Sequence, residues 1–159
     1  MLRAALAVAA LGVALSACGP RGAANLCGAI KVTDIEEALG ANLQGEAQQA
    51  STSGPEIACS WSGQSADGAP RSLALTVQRE AGEMAYDHAA EDMRARYART
   101  GTLAEVGDAA LLGVGEAADA ERFSGQILAR KGKDLLVLRI EGRDPAAFET
   151  IARAAAKAM

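Results

Sequence analysis

The fold is decided by one stretch near the end of the chain, which reads Phe123–Arg130 (FSGQILAR), Lys131-Gly132-Lys133 and Asp134–Glu141 (DLLVLRIE). Two segments of strand length joined by a short connection that contains glycine predict an antiparallel β-hairpin. In the second segment the apolar residues Leu136, Leu138 and Ile140 share one face of the strand. The hairpin therefore supplies two strands of a sheet, around which the other segments are placed.

Further strands are predicted where small or apolar residues alternate along the chain. These segments are Glu46–Ser53 (a weak edge strand), Ile57–Ser62, Leu73–Gln78 and Ala109–Val114. Cys59 and Trp61 lie two residues apart, so they share one strand face and the indole can pack beside the cysteine in the core.

Three helices are predicted before, between and after these strands. They are a short helix from the capping box Thr33-Asp34-Ile35-Glu36 to Gly40, a long helix over Glu83–Thr100 that ends at Gly101, and a C-terminal helix capped by Asp144-Pro145. The long helix carries an apolar stripe made of Tyr86, Ala90, Met93 and Tyr97.

This order of elements predicts an α+β domain. We expect an antiparallel sheet of about five to six strands with the helices packed on one face. A two-fold internal repeat of strands followed by a helix is compatible with the order, although no residue-level repeat accompanies it.

The chain begins like a secreted precursor. Arg3 gives a basic start, Ala4–Leu15 is an apolar run shorter than the roughly 20 residues of a membrane-spanning helix, and Leu15-Ser16-Ala17-Cys18 follows. Ordinary cleavage near Ala14-Leu15-Ser16 is the alternative, and it leaves Cys18 as a free thiol.

The pattern resembles the lipobox of bacterial lipoprotein precursors. The resemblance implies cleavage before Cys18, a diacylglyceryl group on its sulfur, and attachment to the lipid bilayer. Gly19 after the cysteine implies an outer membrane, periplasm-facing location in a two-membrane bacterium. The predicted organisation is therefore a signal peptide at 1–17, a lipidated tether at 18–26 and one domain at 27–159.

Lipidation of Cys18 leaves Cys27 and Cys59 as a pair among the three cysteines. An oxidising compartment predicts a disulfide between them, which closes a loop of about 33 residues and stabilises by roughly 3.5–4 kcal/mol. A metal site or a reactive thiol is the alternative. Zinc lacks ligands, because the chain has no Cys-x-x-Cys spacing and His88 is its only histidine.

The mature chain resembles a family of small bacterial lipoproteins of unknown function. The shared pieces are Cys27, Leu39-Gly40, Cys59-Ser60-Trp61 and Val106-Gly107-Asp108-Ala109-Ala110. The resemblance spans nearly the whole mature chain but implies no activity; related domains outside the cytoplasm look like sensing or binding modules.

Residues that could carry chemistry each have a plainer interpretation. His88 is expected on the solvent side of its helix, Gly113-Val114-Gly115 lacks the rest of a phosphate loop, and Asp108 fits a solvated turn. Glu141, Arg143 and Asp144 cluster where a helix cap is needed. No catalytic residue, metal site or cofactor is therefore predicted.

Composition narrows the class of partner. Without Arg3 the mature chain has 15 basic and 20 acidic side chains, a net charge of −5, and with only five aromatic residues it does not suit nucleic acid. We expect a non-enzymatic, membrane-anchored binding module for an envelope protein or a small ligand. The alternatives are a glycan-directed envelope enzyme that uses carboxylates, and a sensor or inhibitor domain that binds a protein.

Overall fold

The computed structural model describes residues 26–45, 48–51, 54–115 and 122–159, and it describes side chains for all of these except 48–51. The predicted signal peptide and the predicted lipidation site Cys18 lie outside the described residues. Within the described part of the chain, every helix is too short or too polar to cross a bilayer.

Eight strands and three helices make up the described domain. The strands are β1 Asn42–Leu43, β2 Gln48–Ser51, β3 Glu56–Gln64, β4 Pro70–Gln78, β5 Arg99–Thr102, β6 Ala109–Val114, β7 Phe123–Lys131 and β8 Asp134–Gly142. The helices are α1 Val32–Leu39, α2 Glu83–Arg96 and α3 Pro145–Ala158, and a 3₁₀ turn covers Cys27–Ala29.

All the strand pairs are antiparallel, in the order β1-β3-β4-β8-β7-β6-β5, and β2 also pairs with β3. The α+β class is therefore confirmed. The sheet is wider than the predicted five to six strands, because β5 and the two-residue β1 extend its edges. The two-fold repeat stays a prediction.

The β7–β8 hairpin forms as predicted. Lys131 pairs with Asp134, so Gly132 and Lys133 make a two-residue loop. Gly132 has a φ of 60°, which suits the first central position of such a loop because glycine reaches positive φ without steric cost. At the start of β8, the Asp134 carboxylate forms an ion pair with the guanidinium of Arg79, which follows β4, at 2.9 Å.

The helices lie on both faces of the sheet, so the prediction that they share one face is wrong. Ile127 lies on the sheet face that packs against α1 and α3, and we call the apolar cluster on this side the main core. Its neighbour Leu128 faces the other way and packs with Met93 of α2. Successive residues of a strand point to opposite faces, and Ile127 and Leu128 are both almost fully buried, so each face of β7 needs its own helical cover.

The long helix ends four residues earlier than predicted. It stops at Arg96, where Tyr97 turns to an extended conformation, and Arg99–Thr102 then forms β5 along β6. Pairing with an exposed sheet edge satisfies the backbone of this segment, and it overrides the helical pattern that ran on to Gly101.

The predicted capping box is also wrong. α1 begins at Val32 with Lys31 as its N-cap, so Thr33 lies within the first turn. Glu36 instead accepts a hydrogen bond from the backbone amide of Leu43 at 3.2 Å, which ties the helix to β1. The predicted end at Gly40 is correct: its φ is 61° and its amide caps the helix.

A disulfide joins Cys27 to Cys59, which agrees with the pairing expected from the sequence. Cys59 lies in β3 on the main-core face, where Trp61 is also buried. The bond fixes the 3₁₀ turn at the start of the domain to a strand inside the sheet.

The Val106-Gly107-Asp108 segment holds the β7–β8 hairpin in place. Val106 is buried in the main core. The Asp108 amide donates to the carbonyl of Arg130 at 2.7 Å, and its carboxylate accepts from the Gly132 amide at 2.6 Å. These contacts join Val106-Gly107-Asp108 to the hairpin, and we call this segment the clasp. Asp108 lies in a turn, as expected from the sequence.

Gly107→Ala should destabilise the domain by about 1–3 kcal/mol more than Gly132→Ala. Both glycines have a φ near 60°, so both alanines carry the same backbone strain. At Gly107 a Cβ also overlaps the Arg130 carbonyl, whereas nothing lies within 4 Å of a Cβ at Gly132. Urea denaturation of both variants measures the difference, and equal losses would contradict the clasp.

Candidate functional site

The residues considered for chemistry from the sequence are scattered. His88 is exposed on α2, Asp108 serves the clasp, and Gly113 lies under the ring of Tyr97. Asp144 caps α3 by accepting from the amides of Ala146 and Ala147 at 2.8 and 3.2 Å. His88, Asp108 and Gly113 therefore lie in separate elements, while Arg143 and Asp144 line one cleft, and no cluster of metal-ligating side chains occurs among the described residues.

A groove of about 250 Å³ lies between α2 and the sheet face opposite the main core; we call it the α2 groove. Its walls are Ala85, Ala89, Asp92, Met93 and Arg96 from α2, and Gln78, Gln126, Leu128, Leu135, Val137 and Arg139 from the sheet. The groove exists because α2 packs mainly over β5, β6 and β7, so that Arg139 of β8 and Gln78 of β4 stay exposed beside it.

Two contacts fix the direction of α2 over the sheet. At its start, Glu83 pairs with Arg130 at 2.7 Å. Just beyond its end, the Tyr97 hydroxyl donates to Gln126 Oε1 at 3.5 Å. Burial raises the pKa of the Tyr86 phenol, which therefore stays neutral on the sheet side of the helix.

The register makes the α2 groove uncharged at one end and more polar, with charged side chains, at the other. Leu135 lies opposite Arg130 near the start of α2, and Val137 lies opposite Leu128 in the middle. Arg139 lies opposite Gln126, where α2 ends. The groove thus leads from aliphatic side chains beside the Gln78 amide to the guanidinium and amide donors of Arg96, Arg139 and Gln126.

Gln126 is the unusual residue of the α2 groove, because it is polar and only 6 % exposed. The 3.5 Å bond from Tyr97 is at the limit of a hydrogen bond, and no other bond to the Gln126 side chain occurs in the described part of the chain. A glutamine amide offers two donors and an acceptor, and buried polar groups are normally satisfied. Its amide is not among the fully enclosed unpartnered groups of the described residues, so solvent or a ligand in the groove can reach its remaining capacity.

The polar end of the α2 groove carries a net positive formal charge. Arg96 and Arg139 bring two guanidinium groups and Asp92 brings one carboxylate, which leaves a formal charge of +1 on the groove walls. Asp92 and Arg96, which the helical spacing predicts as a pair, form no ion pair in this part of the structure.

Four other clefts along the described residues have no wall residue that is both polar and almost fully buried. One is apolar, lined by Leu112, Val114 and Phe123 on the main-core face near β5. Another brings Glu37 and Asp144 together, but the Asp144 carboxylate is already engaged as a helix cap. The α2 groove is therefore the better candidate site.

Sequence reasoning missed the α2 groove, although one signal was present. Gln126 interrupts an otherwise apolar or small strand, and a polar residue inside a buried strand needs a partner. The groove itself depends on the placement of α2 across the sheet from α1 and α3, which the periodicity of the helix does not determine.

Comparison of the chain with protein-family models, with curated proteins and with solved structures found no match. The interpretation of the site therefore depends on its geometry and chemistry alone.

Gln126→Leu should leave the free energy of unfolding within about 1 kcal/mol of the parent or raise it, because only one long hydrogen bond is lost while apolar burial increases. Tyr97→Phe, which removes the partner hydroxyl, should change it by less than about 0.5 kcal/mol. Urea denaturation gives both values. A loss above about 2 kcal/mol for Gln126→Leu would make Gln126 a structural residue and remove the main argument for the site.

Proposed function

We propose that the chain is a non-enzymatic binding protein of the bacterial envelope, anchored by lipid at Cys18, that holds a small polar ligand in the α2 groove. The observation that carries the proposal is Gln126, a buried amide with unused hydrogen-bonding capacity in the groove wall. Proteins place such groups at binding sites, because a ligand can satisfy them where the fold does not.

A small ligand suits this face of the sheet better than a docked protein. Beyond the α2 groove, the open face of β3 and β4 presents Ser60, Ser62, Ser72 and Ala74. Protein-docking surfaces are marked by large contiguous apolar patches, and these side chains are small or polar. A sensor or inhibitor domain is therefore the weaker candidate for this face.

The alternative of a glycan-directed enzyme has less support. A glycosidase needs two carboxyl groups about 5–10 Å apart across its substrate. Asp92 is the one carboxylate among the residues that line the α2 groove. In the cleft that contains two carboxylates, the Asp144 carboxylate already accepts hydrogen bonds from the first turn of α3.

The anchor proposal comes from the lipobox that ends at Cys18. Two acyl chains hold a protein on a bilayer without help from its surface, since each buried CH₂ contributes about 0.8 kcal/mol. The tether of about eight residues before Leu26 reaches at most about 30 Å. The ligand is therefore met close to the membrane.

Cys18→Ser should abolish acylation and move the protein from the membrane to the soluble envelope fraction. Fractionation with intact-mass measurement tests this against the parent protein, which keeps both the lipid and the Cys27–Cys59 disulfide. A parent protein whose intact mass shows no acyl chains, or a Cys18→Ser protein whose mass still includes them, would contradict the anchor.

Ala89→Phe should close the α2 groove and reduce ligand retention at least fivefold. Ala89 lines the groove, whereas Ala95 is exposed outside it, so Ala95→Phe is a matched control that adds the same ring. Each protein is purified intact in mild detergent from its own envelope, and mass spectrometry identifies the small molecules released on denaturation.

The parent and the Ala95→Phe protein should release the same molecule in amounts close to one per chain. If neither releases any molecule, or if Ala89→Phe releases as much as the parent, the α2 groove is not a binding site.

A further inference from the structure

We infer that the α2 groove is specific for a small monocarboxylate with a short aliphatic body, held by Arg96, Arg139 and Gln126. The inference deepens the proposed function and depends on it.

The polar end of the groove supplies the donors that a carboxylate needs. Gln126 and Arg139 are directly paired across β7 and β8, so their side chains leave the same face of the sheet side by side. Arg96 reaches the same end from the last turn of α2. Guanidinium groups match the planar carboxylate through two parallel hydrogen bonds, and the amide of Gln126 adds a neutral donor.

The charge of the groove selects a monoanion. Two arginines and Asp92 leave a formal charge of +1, which a single carboxylate neutralises. A phosphate monoester carries about −1.5 to −2 at neutral pH, and Asp92 would repel the excess. The balance of charge therefore favours a carboxylate over a phosphate.

The other end of the groove determines the body of the ligand. Val137 is the partly exposed aliphatic side chain there, beside the almost fully buried Leu128 and Leu135, and the exposed Gln78 pairs with Leu135. A short aliphatic group placed over Val137 leaves water, whereas a second charged group would find no opposite charge among the residues that line this end. The volume of about 250 Å³ is just below the range of about 300–1,000 Å³ typical of drug-sized ligand sites, so the ligand is small.

The test compares 4-methylpentanoate with 4-methylpentanamide, which has the same number of non-hydrogen atoms but no charge. The intact mature protein in detergent is titrated with each compound, and with inorganic phosphate, at low ionic strength while backbone amide chemical shifts are recorded. The acid should bind at least tenfold more tightly than the amide, with the largest shifts at Gln126, Leu128 and Val137.

Two variants test the donors, and a third is the control. Arg96→Gln and Arg139→Gln should each weaken binding of the acid about five- to tenfold, because each removes a charge-assisted bond. Arg94→Gln removes the same charge from the same helix outside the groove and should change the affinity less than twofold. All three positions are exposed, so thermal unfolding should be unchanged.

The possible results separate the two proposals. Equal affinity for acid and amide, preference for phosphate, or an equal effect of Arg94→Gln overturns the carboxylate inference while binding in the groove stands. If none of the three compounds binds but the Ala89-dependent envelope molecule is found, the inference fails and the proposed function survives. If Ala89→Phe does not reduce retention of that molecule, the proposed function is wrong, and the carboxylate inference that depends on it is wrong as well.

Discussion

The structure depends on the burial of both faces of the β7–β8 hairpin. Ile127 and Leu128 are adjacent, point in opposite directions and are each at most 1 % exposed. A strand of this kind is stable only when both faces are covered, which places α1 and α3 on one side and α2 on the other. Burying a side chain such as Leu111, Leu128 or Met93 contributes roughly 1.5–3 kcal/mol, so the α2 side is a substantial part of a domain's net stability of about 5–15 kcal/mol.

The candidate site follows from the unequal extent of these two layers. α1 and α3 lie over the centre of the sheet, whereas α2 is the one described helix on the other face, and its main contacts are with β5, β6 and β7. The boundary between covered and open sheet is the α2 groove. Residues that are neighbours across β7 and β8, such as Gln126 and Arg139, therefore meet different surroundings: the glutamine is buried, and the arginine is exposed.

Much of the fold could be predicted from local patterns. The hairpin, the alternation of Cys59 and Trp61, the end of α1 at Gly40 and the Asp144 cap each depend on a few neighbouring residues, and each is present. The errors have non-local causes. The segment after Arg96 takes its structure from pairing with β6, and the position of α2 follows from the side of the sheet left uncovered. The sequence did contain a signal for the second face, since Leu135 and Val137 alternate with the core residues of β8. That alternation alone does not show which helix covers the second face.

The central claim, that α2 packs on the sheet face opposite α1 and α3, can be measured directly by nuclear Overhauser effects between methyl groups. With methyl-labelled protein, the Met93 methyl should show effects to Leu111 and Leu128. It should show none to Ile127 or Leu138, whose side chains lie on the main-core face. Strong effects from Met93 to Ile127 and Leu138 would instead place all three helices on one face, and both the arrangement of the fold and the α2 groove would be wrong.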